Sequence, residues 1–310
     1  MSRSTQDYDL DALRQRLLPE RSGEVDDSIP ELADADPDLC ALALALPDGE
    51  VRSSEQADVP FSVQSAVKPF LFALALLDTG GDALDRVGIE PTGESFDAIK
   101  LEGGTGRPPN PMVNAGALLT ASLVDGDDVD ARAERIVSGL SAFAGRDLVV
   151  DQRVARSEHL LGDRNHALAH LMRSEDALGV GADDAVAVYA RACAVLVDAR
   201  SLAVMGATLA LGGRNPVTGE RVVPADVARD VVAVMATCGV YDGSGRWMRS
   251  VGIPAKSSVS GGIVLAAPGA LGAAVVSPPL DEQGTSVRGH LACQELSSAL
   301  DLHVFAARAA

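Results

Sequence analysis

The stretch FSVQSAVKPFLFALALLD, residues 61–78, sets Ser65 and Lys68 three positions apart at the mouth of an apolar run. The choice of lysine carries information. Lys and Arg together number 26, yet only Lys68, Lys100 and Lys256 are lysines, so arginine is the default cation of this chain. Arginine keeps its proton in proteins, whereas a buried lysine gives its proton up readily. On a helix, residues three apart share a face with Cβ atoms roughly 5–6 Å apart, which lets the Lys68 amine reach the Ser65 hydroxyl. A neutral amine there can take the hydroxyl proton and activate a poor nucleophile, while the helix N-terminus steadies developing negative charge. Alone, the same spacing also suits a capping serine and a lysine whose stem lies along apolar surface. Pro69 has no N–H to give the Ser65 carbonyl and biases Lys68 away from helical angles. A distorted first turn is expected, with Ser65 at the N-cap or first helical position.

A second rare lysine, Lys256, stands in PAKSSVSGG, residues 254–262, directly before an apolar hairpin. An S-x-x-K helix facing a K-[ST]-x strand is the pattern of serine β-lactamases and penicillin-binding proteins, and it places two of the three lysines in matching motifs. Other patterns carry less. RNHALAH puts His166 and His170 at i,i+4, but no H-E-x-x-H or third ligand follows, so packing or solvation is expected and no metal. EGGTG, residues 102–106, lacks the Lys-Ser/Thr ending and preceding strand of a phosphate cradle. The four cysteines, Cys40, Cys193, Cys238 and Cys293, are far apart and read as buried free thiols.

The elements that must hold these residues are legible as periodicities. LCALALALPDGEVRSS reads as strand, turn and strand, and GGIVLAAPGALGAAVVSPP as a hairpin turning at Pro268-Gly269. Between them SAVKPFLFALALLD, PMVNAGALLTASLV, DDVDARAERIVSGLSAFAG, RNHALAHLMRSE, DDAVAVYARACAVLVD and ARSLAVMGATLALGG show helical periodicity. Residues 90–111, rich in Gly and Pro, read as a long loop of the kind that forms lids. The expected fold is α+β: an antiparallel sheet with flanking helices, built from both chain ends, plus a mostly helical subdomain. The expected division is an N-terminal extension over 1–27, a sheet-containing part over 28–64 and 232–310, and a mostly helical part over 65–231 carrying the lid loop.

With 310 residues of which 47% are hydrophobic, the chain can bury a large core. Its 44 acidic residues give a net charge of −18, which opposes binding to nucleic acid or an anionic membrane. The polar N-terminus and the lack of about 20 uninterrupted apolar residues predict a cytoplasmic protein.

At finer grain the chain resembles the serine-dependent glutaminases, of β-lactamase/DD-peptidase-like fold. The segments carrying the resemblance run in order from about Ile29 to His290: IPELADADPDL, FSVQSAVK, EPTGESFDAI, NPMVNAGAL, SEHLLGDRNHALAH, LALGGRNPVTGE, CGVYDGSGRW, VGIPAKSSVSGG and SPPLDEQGTSVRG. The resemblance implies hydrolysis of L-glutamine to glutamate and ammonia through an acyl-enzyme, without metal or organic cofactor. It makes Ser65 the nucleophile, Lys68 its activating partner, and Tyr241 and Tyr189 the active-site tyrosines. The backbone N–H groups of Ser65 and Val259 become the oxyanion hole. It assigns substrate contacts to Gln64, Asn114, Glu158 and Asn165, a set suited to a zwitterionic amino acid. A homo-oligomer, dimer or tetramer, is implied as well. One position departs: where the family carries Tyr before IPELA, this chain has Ser28. Alternatives are a β-lactamase, peptidase or esterase of the same fold, or a non-catalytic amino-acid-binding protein.

Overall fold

The computed structural model describes residues 8–93 and 98–306. Residues 1–7 of the N-terminal extension and residues 94–97 of the expected lid loop, part of EPTGESFDAI, lie outside the described residues. The main sheet draws on both ends of the chain. Its strands are β1 (Ala41–Ala45), β2 (Val51–Ser53), β6 (Ala255–Ser257), β7 (Gly262–Ala267) and β8 (Leu271–Val276), in the order β2-β1-β8-β7-β6 with every pairing antiparallel. A smaller sheet joins β3 (Phe61–Ser62), β4 (Val149–Val150) and β5 (Val195–Val197) in the order β3-β5-β4.

The alternation in ALALA explains how the large sheet is covered. Successive side chains point to opposite faces. Ala41, Ala43 and Ala45 join Ala266 and Ala274 on one face, while Leu42 and Leu44 join Ile263, Leu265 and Val275 on the other. The face of small residues lets the helix Ala199–Ala210 approach backbone to backbone: a Cβ on Gly272 would lie 2.0 Å from the Ala207 nitrogen, and one on Gly206 2.4 Å from the Leu265 carbonyl oxygen. The face of large residues is covered by the helices Leu10–Leu17, Ser244–Ser250 and Val287–Ala299, through Leu13, Trp247 and Leu296. Residues 10–17 are thus part of the core, and the buried Arg14 donates to the Cys40 carbonyl at 2.8 Å.

The helix Lys68–Asp78 is buried all round from Lys68 to Leu76, as its unbroken apolar sequence demands. Two expectations are corrected. DDAVAVYARACAVLVD is not helical throughout: the helix Ala182–Cys193 ends before Val195–Val197, whose Val-Leu-Val run pairs as the central strand of the small sheet. Lys68 is not displaced from helical angles by Pro69, since its φ is −55° and ψ −43°. The helices Gln152–Leu161, Ala225–Cys238 and Val287–Ala299 were not among the segments identified by periodicity. The described part of 90–111 contains neither helix nor strand, and among the described residues no helix is long and apolar enough to cross a membrane.

Candidate active site

Pro69 shapes the turn that carries Ser65. Because it cannot donate to the Ser65 carbonyl, the Lys68 N–H does so instead, an i+3 bond that makes Gln64–Val67 a 3₁₀ turn feeding the α-helix at Lys68. Residues i and i+3 eclipse in such a turn, so Ser65 and Lys68 stack along one edge. The turn is tied down on both sides. Val63 N–H donates to the Val195 carbonyl at 2.9 Å, and the Ser258 hydroxyl donates to the Val63 carbonyl at 2.9 Å, linking the β6–β7 turn to the residue two before Ser65. Gln64 holds φ at +48°, the left-handed region that costs a residue with a Cβ about 1–2 kcal/mol.

Lys68 has no exposed surface, and its Nζ donates to Asn114 Oδ1 at 2.7 Å. Asn114 Nδ2 in turn donates to Asn165 Oδ1 at 3.0 Å. The chain Lys68–Asn114–Asn165 thus runs from the interior to a cavity of about 370 Å³ lined by Asp26, Ser28, Gln64, Ser65, Glu158 and Tyr189, with Val259 and Cys193 at its wall. Glu158 is on the helix Gln152–Leu161 and Asn165 on the next helix, Asp163–Ser174, so the break at Gly162 brings the carboxylate and the amide to one opening. Burial raises the Glu158 pKa above the usual carboxylate range, against the hydrogen bond from Gln64. Burial also pushes the Tyr189 phenol up, reinforced by Cys193, to which it is hydrogen-bonded.

Tyr241 stands beside this cavity, in the lining of a neighbouring one. It opens the 3₁₀ turn Tyr241–Gly243 at φ +49°, a strained angle held by Ser244, whose hydroxyl accepts from Val240 N–H at 3.1 Å and donates to the Tyr241 carbonyl at 2.9 Å. Two lysines approach its ring, with Lys256 Nζ 3.8 Å and Lys68 Nζ 5.4 Å from the centroid. A second cavity of about 740 Å³ is lined by Tyr241 and Asp242 and shares Asp26 and Val259 with the first.

Of the residues the resemblance assigns to the site, Ser65, Tyr189, Gln64, Asn114, Glu158, Asn165 and Val259 line one cavity, Lys68 is bonded to Asn114 behind it, and Tyr241 lines the neighbouring cavity that shares Val259. His166 and His170 do not join it: His166 Nε2 bonds the His159 carbonyl at 2.9 Å and its Nδ1 faces Asp183 at 3.2 Å, while His170 is exposed. Ser28 lines the opening and is exposed, its hydroxyl donating to Asp26 Oδ1. Three contributors were missed in the sequence: Cys193, the link through Ser258, and the Lys256 contact with Tyr241. Cys193 was findable, because it lies four residues after Tyr189 on one helix. All four cysteines are buried free thiols.

A serine–lysine turn opposite a lysine-bearing strand, held between a five-stranded antiparallel sheet and a layer of helices, defines the β-lactamase/DD-peptidase-like class. Within it, the family model described as Glutaminase matches residues 23–305. A glutaminase of Clavibacter michiganensis subsp. michiganensis is 70% identical over 96% of this chain and 91% of its own length. Among solved structures, Mglu in its glutamate form superimposes with a TM-score of 0.93 at 47% identity, over all of this chain and 72% of that one. The probable glutaminase YbaS gives 0.91 at 38% identity, over 96% and 98%. The chain belongs to the glutaminase family.

Proposed function

We propose that this protein hydrolyses L-glutamine to L-glutamate and ammonia, with Ser65 as nucleophile and Lys68 as its base. The observation that carries the reading is the buried Lys68 amine, eclipsed with Ser65 on a 3₁₀ turn and bonded to Asn114 at 2.7 Å beside the cavity. Ser65 Oγ attacks the side-chain carboxamide carbon as its proton passes to Lys68 Nζ. The N–H groups of Ser65 and Val259 receive the oxyanion. The nitrogen leaves as ammonia on gaining a proton from Lys68, with Tyr241 as the second proton-transfer group. Water, deprotonated by Lys68, then attacks the glutamyl ester; the ester C–O bond breaks, and Ser65 recovers its proton as glutamate departs. Glu158 pairs with the substrate α-ammonium, and Gln64, Asn114, Asn165 and Tyr189 orient the rest of the amino acid. The sheet-containing part, 28–64 and 232–310, supplies Tyr241 and Val259, and the mostly helical part, 65–231, supplies Ser65, Lys68 and the α-ammonium contacts. The working form is a cytoplasmic homo-oligomer.

The test is a coupled ammonia assay with glutamine and asparagine in parallel, on the wild type, Ser65→Ala and Lys68→Arg. Ser65→Ala should lower turnover by orders of magnitude with an unchanged melting curve. Lys68→Arg should fail almost as badly, because guanidinium cannot accept the proton. Near-normal glutamine turnover in Ser65→Ala would overturn the mechanism.

A further inference from the structure

His166 does not line the opening, and the acyl-transfer steps above make no use of it. The three helices it touches each carry one substrate contact of the proposed site: Glu158 on Gln152–Leu161, Asn165 on Asp163–Ser174 and Tyr189 on Ala182–Cys193. The first two helices pack along the third and scarcely on each other. Two features tie the first helix to the second directly. One is the break at Gly162, where a Cβ would lie 2.6 Å from the Glu158 carbonyl oxygen; the other is the imidazole of His166. That ring grows from the second helix, meets the His159 carbonyl of the first through Nε2 at 2.9 Å, and meets Asp183, in the first turn of the third, through Nδ1 at 3.2 Å. His159 directly follows Glu158 and His166 directly follows Asn165, so the ring fixes backbone one residue away from each of those two contacts.

Both partners of the ring are acceptors, one a carbonyl and the other a carboxylate. A neutral imidazole has one N–H and one lone pair, so it satisfies one partner and turns its lone pair on the other; an imidazolium donates to both. Asp183 is exposed, and as an ion pair the contact adds little. Its effect is to make the bond to the His159 carbonyl depend on the second proton. We propose that His166 is a positioning residue of the amino-acid subsite: doubly protonated, it clamps three helices so that Glu158, Asn165 and Tyr189 face one substrate. The inference rests on those three residues being substrate contacts. The titratable groups around the ring are His159, whose own ring meets it edge-on at 5.2 Å between centroids, Asp183 and Asp184 on Ala182–Cys193, and Asp163 and His170, three before and four after it on its own helix.

The experiment measures KM and kcat for glutamine from about pH 5.5 to about pH 8.5, across the histidine range, in the wild type, His166→Phe and Asp183→Asn, each with a thermal melt. His166→Phe keeps a ring against His159 and removes both donors. At the acid end its KM should exceed the wild-type value by about tenfold, the order of one lost hydrogen bond, with kcat changed by less than about twofold because Ser65 and Lys68 lie on another element. The ratio of the two KM values should shrink toward the alkaline end, where the wild type has itself given up one bond; titration of Glu158 acts on both enzymes and cancels in the ratio. In Asp183→Asn the amide accepts from an N–H or donates to a lone pair, so both ring bonds survive in a neutral histidine. Its KM should match the wild type at the acid end and fall below it at the alkaline end. A His166→Phe ratio near one, or equal at every pH, overturns the proposal, and so does a loss confined to kcat. If His166→Phe melts early, Asp183→Asn still decides: a KM below the wild type at the alkaline end supports the clamp, and one equal to or above it there overturns it. An unchanged KM in Glu158→Gln would remove the underlying reading, whereas a raised one combined with a pH-independent His166→Phe ratio removes this inference alone.

Discussion

Replacing Asn114 by aspartate, Asn114→Asp, tests whether Lys68 works as a neutral base or as a fixed cation. The change is nearly isosteric, and it puts a carboxylate oxygen where the Asn114 carbonyl oxygen now accepts from Lys68 Nζ at 2.7 Å. An opposite charge that close favours the ammonium and raises a lysine pKa by about 1–3 units. Each unit is a tenfold loss of the neutral amine below the pKa, so kcat/KM at neutral pH should fall by about 10- to 1,000-fold. A second effect follows at Asn165, whose Oδ1 now accepts from Asn114 Nδ2 at 3.0 Å. Facing a carboxylate, the Asn165 amide must turn its NH₂ inward and its oxygen toward the ligand, which changes a donor into an acceptor at the cavity wall. The assay is the pH profile of glutamine turnover by coupled ammonia release. The acid limb should move about 1–3 pH units to the alkaline side, with activity recovering above it, and KM should rise. A profile that keeps its position, at whatever height, would refute the role assigned to Lys68.

Ser28→Tyr should lower KM for glutamine by roughly tenfold, because a phenol at this exposed rim position adds a hydrogen bond and contact area worth about 1–2 kcal/mol; an unchanged or higher KM would mean the opening is shaped for another amide. Glu158→Gln should raise KM by about 10- to 100-fold with a smaller effect on kcat, since a bond to a charged group is worth about 1.5–3 kcal/mol. In the wild type, the raised Glu158 pKa means that acidification neutralises this carboxylate earlier than an ordinary one, so KM should climb as pH falls and Glu158→Gln should flatten the climb. A wild-type KM that stays level through mildly acidic pH would contradict the pairing of Glu158 with the α-ammonium.

What could be read from the sequence follows from how local its causes are. The Ala/Leu alternation of β1 and the Pro-Gly hairpin are set by neighbours within a few residues and appear where expected, whereas Ser65, expected at the N-cap or first helical position, is the second residue of the 3₁₀ turn. Pro69 was legible as a disturbance but not its outcome: losing one donor tightened the turn to i+3 bonds and left Lys68 helical. Val195–Val197 was misjudged because its strand identity comes from partners at Phe61 and Val149, far away in the chain. The approach of two lysines to the Tyr241 ring and the tie from Ser258 to Val63 likewise depend on long-range contacts that no spacing encodes.

The pairing of β1 with β8 has a consequence during synthesis. Ala41 finds its partner at Val276, so the hairpin β1–β2 emerges from the ribosome with one edge of β1 unpaired until β8, which ends at Val276, has been made. At about 5–20 residues per second that interval lasts on the order of ten seconds or more. The nascent chain must therefore hold an edge-exposed hairpin out of contact with its neighbours while the intervening helices form, which exposes expression yield, as well as the stability of the finished protein, to substitutions in β1.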